Sequence, residues 1–137
     1  MIIDSNILVY SIDKNSEKHQ KAQNFLKENL GSLEIAHQNI FETLRVITYP
    51  KLPKPMKIND AIGALERILK VCRMVSPNWK TSSIAIELIK KYKLSSDTVF
   101  DAYLAATALS NGIDTIATDN TKDFQKLKEL TLINPFI

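Results

Sequence analysis

The chain has 137 residues, 45% hydrophobic and 24% charged, which is ordinary globular usage and excludes a disordered reading. Its single cysteine, Cys72, excludes an intramolecular disulfide, and adding His19 and His37 still leaves too few ligands for a usual zinc cluster. No apolar run approaches the roughly 20 residues that cross a bilayer, and no basic leader opens the chain, so a soluble protein of the cytoplasm with no membrane partner is expected. The length suits one domain over residues 1–137, and the net charge of +3 hints at an anionic partner.

Ile2 and Ile3 read as a short buried strand ending at Asp4, and "NILVYSI" as a short helix after it. In residues 16–30, Ala22, Phe25, Leu26 and Leu30 share one face, which predicts an amphipathic helix capped by Ser16 and stopped by Gly31. "LEIAH" predicts a second strand, and residues 39–48 a helix with Ile40, Leu44 and Ile47 on one side. Three prolines within residues 49–57 block helix and sheet and predict an exposed loop. Residues 59–71 predict a helix with Asn59 as cap and Cys72 on its apolar face, in the core. "RMVS" is a possible strand and residues 81–92 a helix; residues 95–112 form the strongest helix, with a polar cap cluster, an alanine-rich body and an Asn-Gly stop. "DTIATD" predicts a strand, "TKDFQKL" a short helix and "LTLI" a last strand. This alternation predicts an α/β domain with a mostly parallel sheet and helices on both faces.

In such a sheet, ligands bind beyond the carboxyl ends of the strands. Asp4 closes the first strand and Asp119 the best late one. Asp101 lies near the start of the alanine-rich helix, where the dipole favours an anion, and Glu42 lies one turn into a helix that follows a strand. Taken singly, each has an ordinary reading: Asp4 as an N-cap, Asp119 as a turn or cap residue, Asp101 as a dipole partner, Glu42 as a pair with Arg45. One shared site explains all four placements. Convergent carboxylates repel one another unless protonated or bridged by cations. Mg²⁺ and Mn²⁺ prefer carboxylate and water oxygens, and such ions activate water for in-line displacement at phosphorus. With these acids gathered at one place, the remaining surface is more basic than +3 suggests. Arg45, Lys51, Lys54 and Lys57, together with Lys90, Lys91 and Lys93, are candidates for phosphate contact, and each also reads as a solvated side chain.

The segments "IIDSNILVYSID", "NIFETLRVIT", "DAYLAATALSNG" and "TIATDNTKDF" resemble, in this order, the motifs of PIN-domain nucleases. The resemblance spans essentially the whole chain and is nearest to the VapC toxins of prokaryotic toxin–antitoxin pairs. It implies a PIN-like three-layer α/β/α sandwich around a mostly parallel sheet of about four to five strands. It also implies an endoribonuclease that uses one or two Mg²⁺ or Mn²⁺ ions to cleave RNA phosphodiester bonds. A homodimer and a cognate VapB-like antitoxin are the implied partners. Carried over residue by residue, the metal-site role falls on Asp4, Glu42, Asp101 and Asp119, with Asp4 and Asp101 as the most direct ligands. Asp123 matches an outer ligand, and Asn6 and Thr118 match supporting hydrogen-bond positions. The chain departs from the family pattern where Asn120, Thr121 and Lys122 separate Asp119 from Asp123.

Other readings stand beside this one. A phosphatase could use Asp4 as nucleophile, although enzymes of the haloacid dehalogenase type place a second aspartate where Asn6 stands. A catalytically silent RNA- or protein-binding module could keep the fold, and a nuclease could process RNA without any antitoxin. No "GxSxG" elbow supports a serine hydrolase. His19 reads as a surface or boundary residue, and Trp79 and Tyr92 as packing or dimer contacts rather than base-stacking platforms.

Overall fold

Five short strands and seven helices alternate in the computed structural model, which describes all of residues 1–137. β1 (Ile2–Ile3) passes through Asp4 into α1 (Ser5–Ile12), and α2 (His19–Glu28) returns the chain to β2 (Glu34–Ala36). From there α3 (His37–Ile47), the proline loop and α4 (Ile58–Leu69) lead to β3 (Arg73–Val75). α5 (Thr81–Tyr92) and α6 (Thr98–Ser110) precede β4 (Thr115–Ala117), and α7 (Thr121–Phe124) precedes β5 (Thr131–Ile133).

All strand pairs are parallel, in the spatial order β3-β2-β1-β4-β5. Parallel neighbours require crossovers, and here helices make every one, so both faces of the sheet are covered. The pleat sends successive residues to opposite faces. Ile2, Ala36, Val75 and Ile116 join the core beneath α5 and α6, while Ile3, Ile35 and Ala117 join the core beneath α1 and α2. The result is a three-layer α/β/α sandwich. Four alanines of α6 (Ala102, Ala105, Ala106 and Ala108) are buried, and their small side chains let α5 approach closely. Ile2 and Ile3 are fully buried, and each such side chain contributes about 1.5–3 kcal/mol. Two residues therefore suffice to seat β1.

The sheet order reverses direction at β1, whose neighbours are β2 and β4. Successive crossovers leave in opposite directions there, and a crevice opens at the carboxyl edge of the sheet. This edge carries Asp4.

Three local expectations shift. α2 begins at His19 rather than near Ser16; Ser16 instead forms the preceding turn, its Oγ accepting from Lys18 N at 3.2 Å and its carbonyl from His19 N at 3.0 Å. Asn59 lies inside α4, which starts behind extended Lys57 without a side-chain cap. Cys72 falls beyond α4, in the turn to β3, where it is half-buried against the α1/α2 core. Gly112 ends α6 as expected, at a φ of +72° that a side chain would resist. No helix is long and apolar enough to cross a membrane.

Candidate functional site

The site is built outward from the sheet. Asp4 N donates to Ala117 O at 2.9 Å, and Thr118 N to Ile133 O at 2.9 Å. The ladder thus runs one residue past β1 and β4 and sets Asp4 and Thr118 side by side. Asp4 is 7% exposed and Thr118 fully buried.

Asp4 does cap α1: its backbone is extended, and Oδ1 accepts from Ser5 N at 2.7 Å. Oδ2 accepts from Thr118 Oγ1 at 2.6 Å and from Asn6 Nδ2 at 3.0 Å. Thr118 Oγ1 in turn accepts from Asn6 Nδ2 at 3.1 Å and Asn120 N at 2.9 Å, which uses its full hydrogen-bonding capacity. Oδ1 has one short donor; Ser5 Oγ and Asn39 Nδ2 stand farther off, each at 3.5 Å. Asn39 is fully buried and its Oδ1 has no partner. Burial pushes the Asp4 carboxyl above its ordinary value; the bonds from Thr118 and Ser5 pull it back, and the charge of Glu42 adds to the rise.

Glu42 lies on α3, which starts directly after β2. Gln38 Nε2 donates to Glu42 Oε1 at 2.8 Å and to Phe100 O at 3.3 Å. One amide thus ties Glu42 to the turn that carries Asp101. The expected Glu42–Arg45 pair does not form, and Arg45 is exposed.

Asp101 sits in the first turn of α6 with its carboxyl pushed up to about 6. Burial is the largest cause, followed by the charges of Asp123, Asp4, Glu42 and Asp97. Acids from β1, α3, α6 and α7 therefore share one electrostatic neighbourhood. Asp123 is held there by packing: the next residue, Phe124, is 1% exposed and anchors α7 in the core. None of Asp4, Glu42, Asp101 and Asp123 has a cationic partner, since the ion pairs lie elsewhere.

Asp119 has different company. It pairs with Lys18, accepts from Tyr10 Oη at 3.1 Å and lies 3.5 Å from Asn134 Nδ2. Burial raises its carboxyl, but the bonds from Lys18 and Tyr10 outweigh that, and it falls below its ordinary value. The structure therefore brings Asp123 up to the other acids and ties Asp119 to a lysine. Lys18, Tyr10 and Gln38 carried no sequence signal, because their partners are distant in the chain or unremarkable in pattern.

No three His, Cys, Asp or Glu side chains are gathered tightly enough to clasp one ion among themselves. Mg²⁺ keeps several waters and takes one or two carboxylates directly, so it does not require such a clasp. The donor set fits a hard divalent cation: it is all oxygen, anionic and uncompensated.

Lys51, Lys54 and Lys57 are exposed in the proline loop, which Met56 N ties to Ile47 O at 2.9 Å. The 11 residues of α3 span about 16 Å, so these lysines lie well beyond Glu42 from the sheet edge. Lys91 pairs with Glu129, and Tyr92 donates to Glu129 at 2.8 Å. His19 is half-buried, with Nδ1 at 2.9 Å from Tyr10 O. Trp79 is 87% exposed, with the Lys80 ammonium 5.2 Å from the centre of its ring. Two clefts of about 510 and 560 Å³ lie along α1, α2, α4 and the proline loop, away from the acids.

The fold is a three-layer α/β sandwich with carboxylates near the switch point of a parallel sheet, and the chain belongs to the PIN-domain family, which matches over residues 1–130. Among curated relatives it is 28% identical to Ribonuclease VapC24 of Mycobacterium tuberculosis over 130 residues, covering 89% of this chain and 87% of that one. Among solved structures, it is similar to VapBC2 from Rickettsia felis bound to a DNA fragment from the promoter, with a TM-score of 0.75 at 21% identity, covering 97% of this chain and 96% of that one. FitAcB from Neisseria gonorrhoeae superimposes with a TM-score of 0.76 at 20% identity, covering 98% of this chain and 97% of that one.

Proposed function

We propose that residues 1–137 form a single PIN domain that acts as a Mg²⁺- or Mn²⁺-dependent endoribonuclease, the toxin of a VapBC-type pair. The observation that carries this reading is the set of uncompensated carboxylates around Asp101, whose carboxyl is pushed up to about 6 by burial and by Asp123, Asp4 and Glu42. Within such a cluster a divalent cation relieves the repulsion that the fold has built in. Asp4 and Asp101 would hold it most directly, with Glu42 and Asp123 sharing the load through water. When bound, one or two ions supply an activated water and offset the charge that develops on the phosphate.

The chain's own residues do the positioning. Thr118 and Asn6 on Oδ2, and Ser5 on Oδ1, fix the rotation of the Asp4 carboxylate. Gln38 holds Glu42 against the start of α6. Neither large cleft is lined by these acids. The phosphatase reading loses support from the same contacts. Both Asp4 oxygens accept short hydrogen bonds, and Asn6 is spent as a donor to Asp4.

The relatives that carry ribonuclease and toxin–antitoxin names support an RNA substrate and an antitoxin of VapB type; a homodimer working in the cytoplasm completes the proposed reading. A non-toxin RNA-processing nuclease would share the same site, and a neighbouring small antitoxin gene separates the two. The test of activity is cleavage of a labelled single-stranded RNA by the purified chain with Mg²⁺, Mn²⁺ or chelator. Cleavage that persists in chelator, or in Asp4→Asn, overturns the metal-site reading. A chain that binds RNA but never cuts it is the silent module.

A further inference from the structure

We propose that Lys18, Tyr10 and Asp119 form a lock whose role is to position the Asp4 carboxylate, with Asp119 as a positioning residue rather than a metal ligand. The proposal deepens the nuclease reading above and rests on it for its kinetic test. The lock is continuous in hydrogen bonds. Asp119 Oδ2 receives Lys18 Nζ and Tyr10 Oη. Asn134 Nδ2 reaches Asp119 O at 3.4 Å. From there Asp119 N donates to Asn6 Oδ1 at 3.2 Å, and that bond orients the Asn6 amide so that Nδ2 serves both Asp4 Oδ2 and Thr118 Oγ1. The next residue, Asn120, donates its N–H to Thr118 Oγ1 and its side-chain amide to Asp123. The loop that Lys18 anchors therefore touches Asp4 through two residues and Asp123 through one.

Lys18 is not an ordinary surface lysine. Its ammonium lies 5.2 Å from the centre of the Tyr10 ring and 5.1 Å from that of Phe136, and these rings meet edge to face at 5.4 Å. Two aromatic faces and a carboxylate define its place, so the ion pair has one geometry rather than many. The pair joins residues 101 apart, linking the start of α2 to the loop after β4. Supports of this kind typically change metal affinity or activity by roughly ten- to a hundredfold.

The test uses the full chain, Mn²⁺ and a fluorogenic single-stranded RNA. Lys18→Met and Asp119→Asn should each lower kcat about tenfold, with KM and the Mn²⁺ dissociation constant unchanged. The double variant should be no slower than the worse single, because both act through one network. Lys18→Arg should restore most of the parent rate, and Arg73→Met, which breaks the Arg73–Glu34 ion pair between β2 and β3, should leave it unchanged. Loss of Mn²⁺ binding in Asp119→Asn makes Asp119 a ligand and overturns the proposal, as do additive losses or a parent-like Lys18→Met. A parent chain that neither binds Mn²⁺ nor cuts RNA overturns the nuclease reading instead. The lock is then judged by nuclear magnetic resonance: the Asn6 side-chain amide should shift and exchange faster in Lys18→Met than in Arg73→Met, and unmoved Asn6 signals overturn it.

Discussion

Asp101 and Asp119 are both partly buried aspartates near the same sheet edge, and the fold treats them in opposite ways. Asp101 faces Asp123, Asp4 and Glu42 with no cation beside it, and its carboxyl rises to about 6. Asp119 is buried too, yet Lys18 and Tyr10 bring it below its ordinary value. Asp101 is the more deeply buried of the two and burial is the largest cause of its rise, so the difference is burial and company together. An acid already paired with a lysine gains little from an added divalent ion, while an acid among acids gains much. The comparison sorts the carboxylates into those left open for a cation and those spent on holding the scaffold.

The largest expected effect falls on the open group. Asp4→Asn should reduce RNA cleavage by at least about a hundredfold while circular dichroism stays that of the parent, because the amide can still cap α1. Equal activity in parent and variant would break the distinction at its root. Thr118→Val comes next. It removes the 2.6 Å donor to Asp4 and strips Asn6 Nδ2 and Asn120 N of an acceptor in buried surroundings. A loss of about 1–3 kcal/mol in denaturant stability is expected.

Acid titration sharpens the contrast further. The Asp101 carboxyl ionises near 3.8 in the unfolded chain and near 6 in the folded one, so between these values the folded state holds the extra proton. Its contribution to stability therefore falls as pH rises through that window, by about 1 kcal/mol once its partial exposure is allowed for. Asp119 has the opposite sign: its stabilisation is present above the unfolded value and is lost as pH falls through the lowered one. Urea midpoints between pH 4 and 7 in chelator, compared for the parent and Asp101→Asn, isolate the first effect. Mg²⁺ should raise the parent midpoint above pH 6 and leave the variant nearly unmoved. The smallest effect concerns the lysines beyond α3. Replacing Lys51, Lys54 and Lys57 with glutamine should lower the salt slope of RNA binding by at most about 2, with cleavage at saturating RNA unchanged. A collapse of cleavage in that variant would place these lysines at the site after all.

Much of the architecture is local and therefore legible in the chain. Apolar periodicity marks α4, an alanine-rich body between a polar cap cluster and an Asn-Gly stop marks α6, and the short β-branched pair Ile2–Ile3 before a carboxylate marks β1. Helix starts are less legible. Ser16 and Asn59 are good capping types, but Lys18 and Lys57 occupy the cap positions, because the incoming loop sets the first helical turn. Cys72 continues the apolar pattern of α4 on paper, yet the chain must turn there to enter β3.

The sequence by itself determined the α/β alternation, the family motifs and the presence of acids at strand ends and helix starts. Spacing and residue type are enough for that, since they act over a few residues. It also placed Asp119 and Asp123 four residues apart, with Asp119 as a site acid and Asp123 as an outer one. Only the tertiary structure gives the two different company. Phe124, buried in the core, turns Asp123 toward Asp101, while Lys18, 101 residues away in the chain, claims Asp119. Charge compensation depends on which groups are neighbours in space, and no local pattern carries that information.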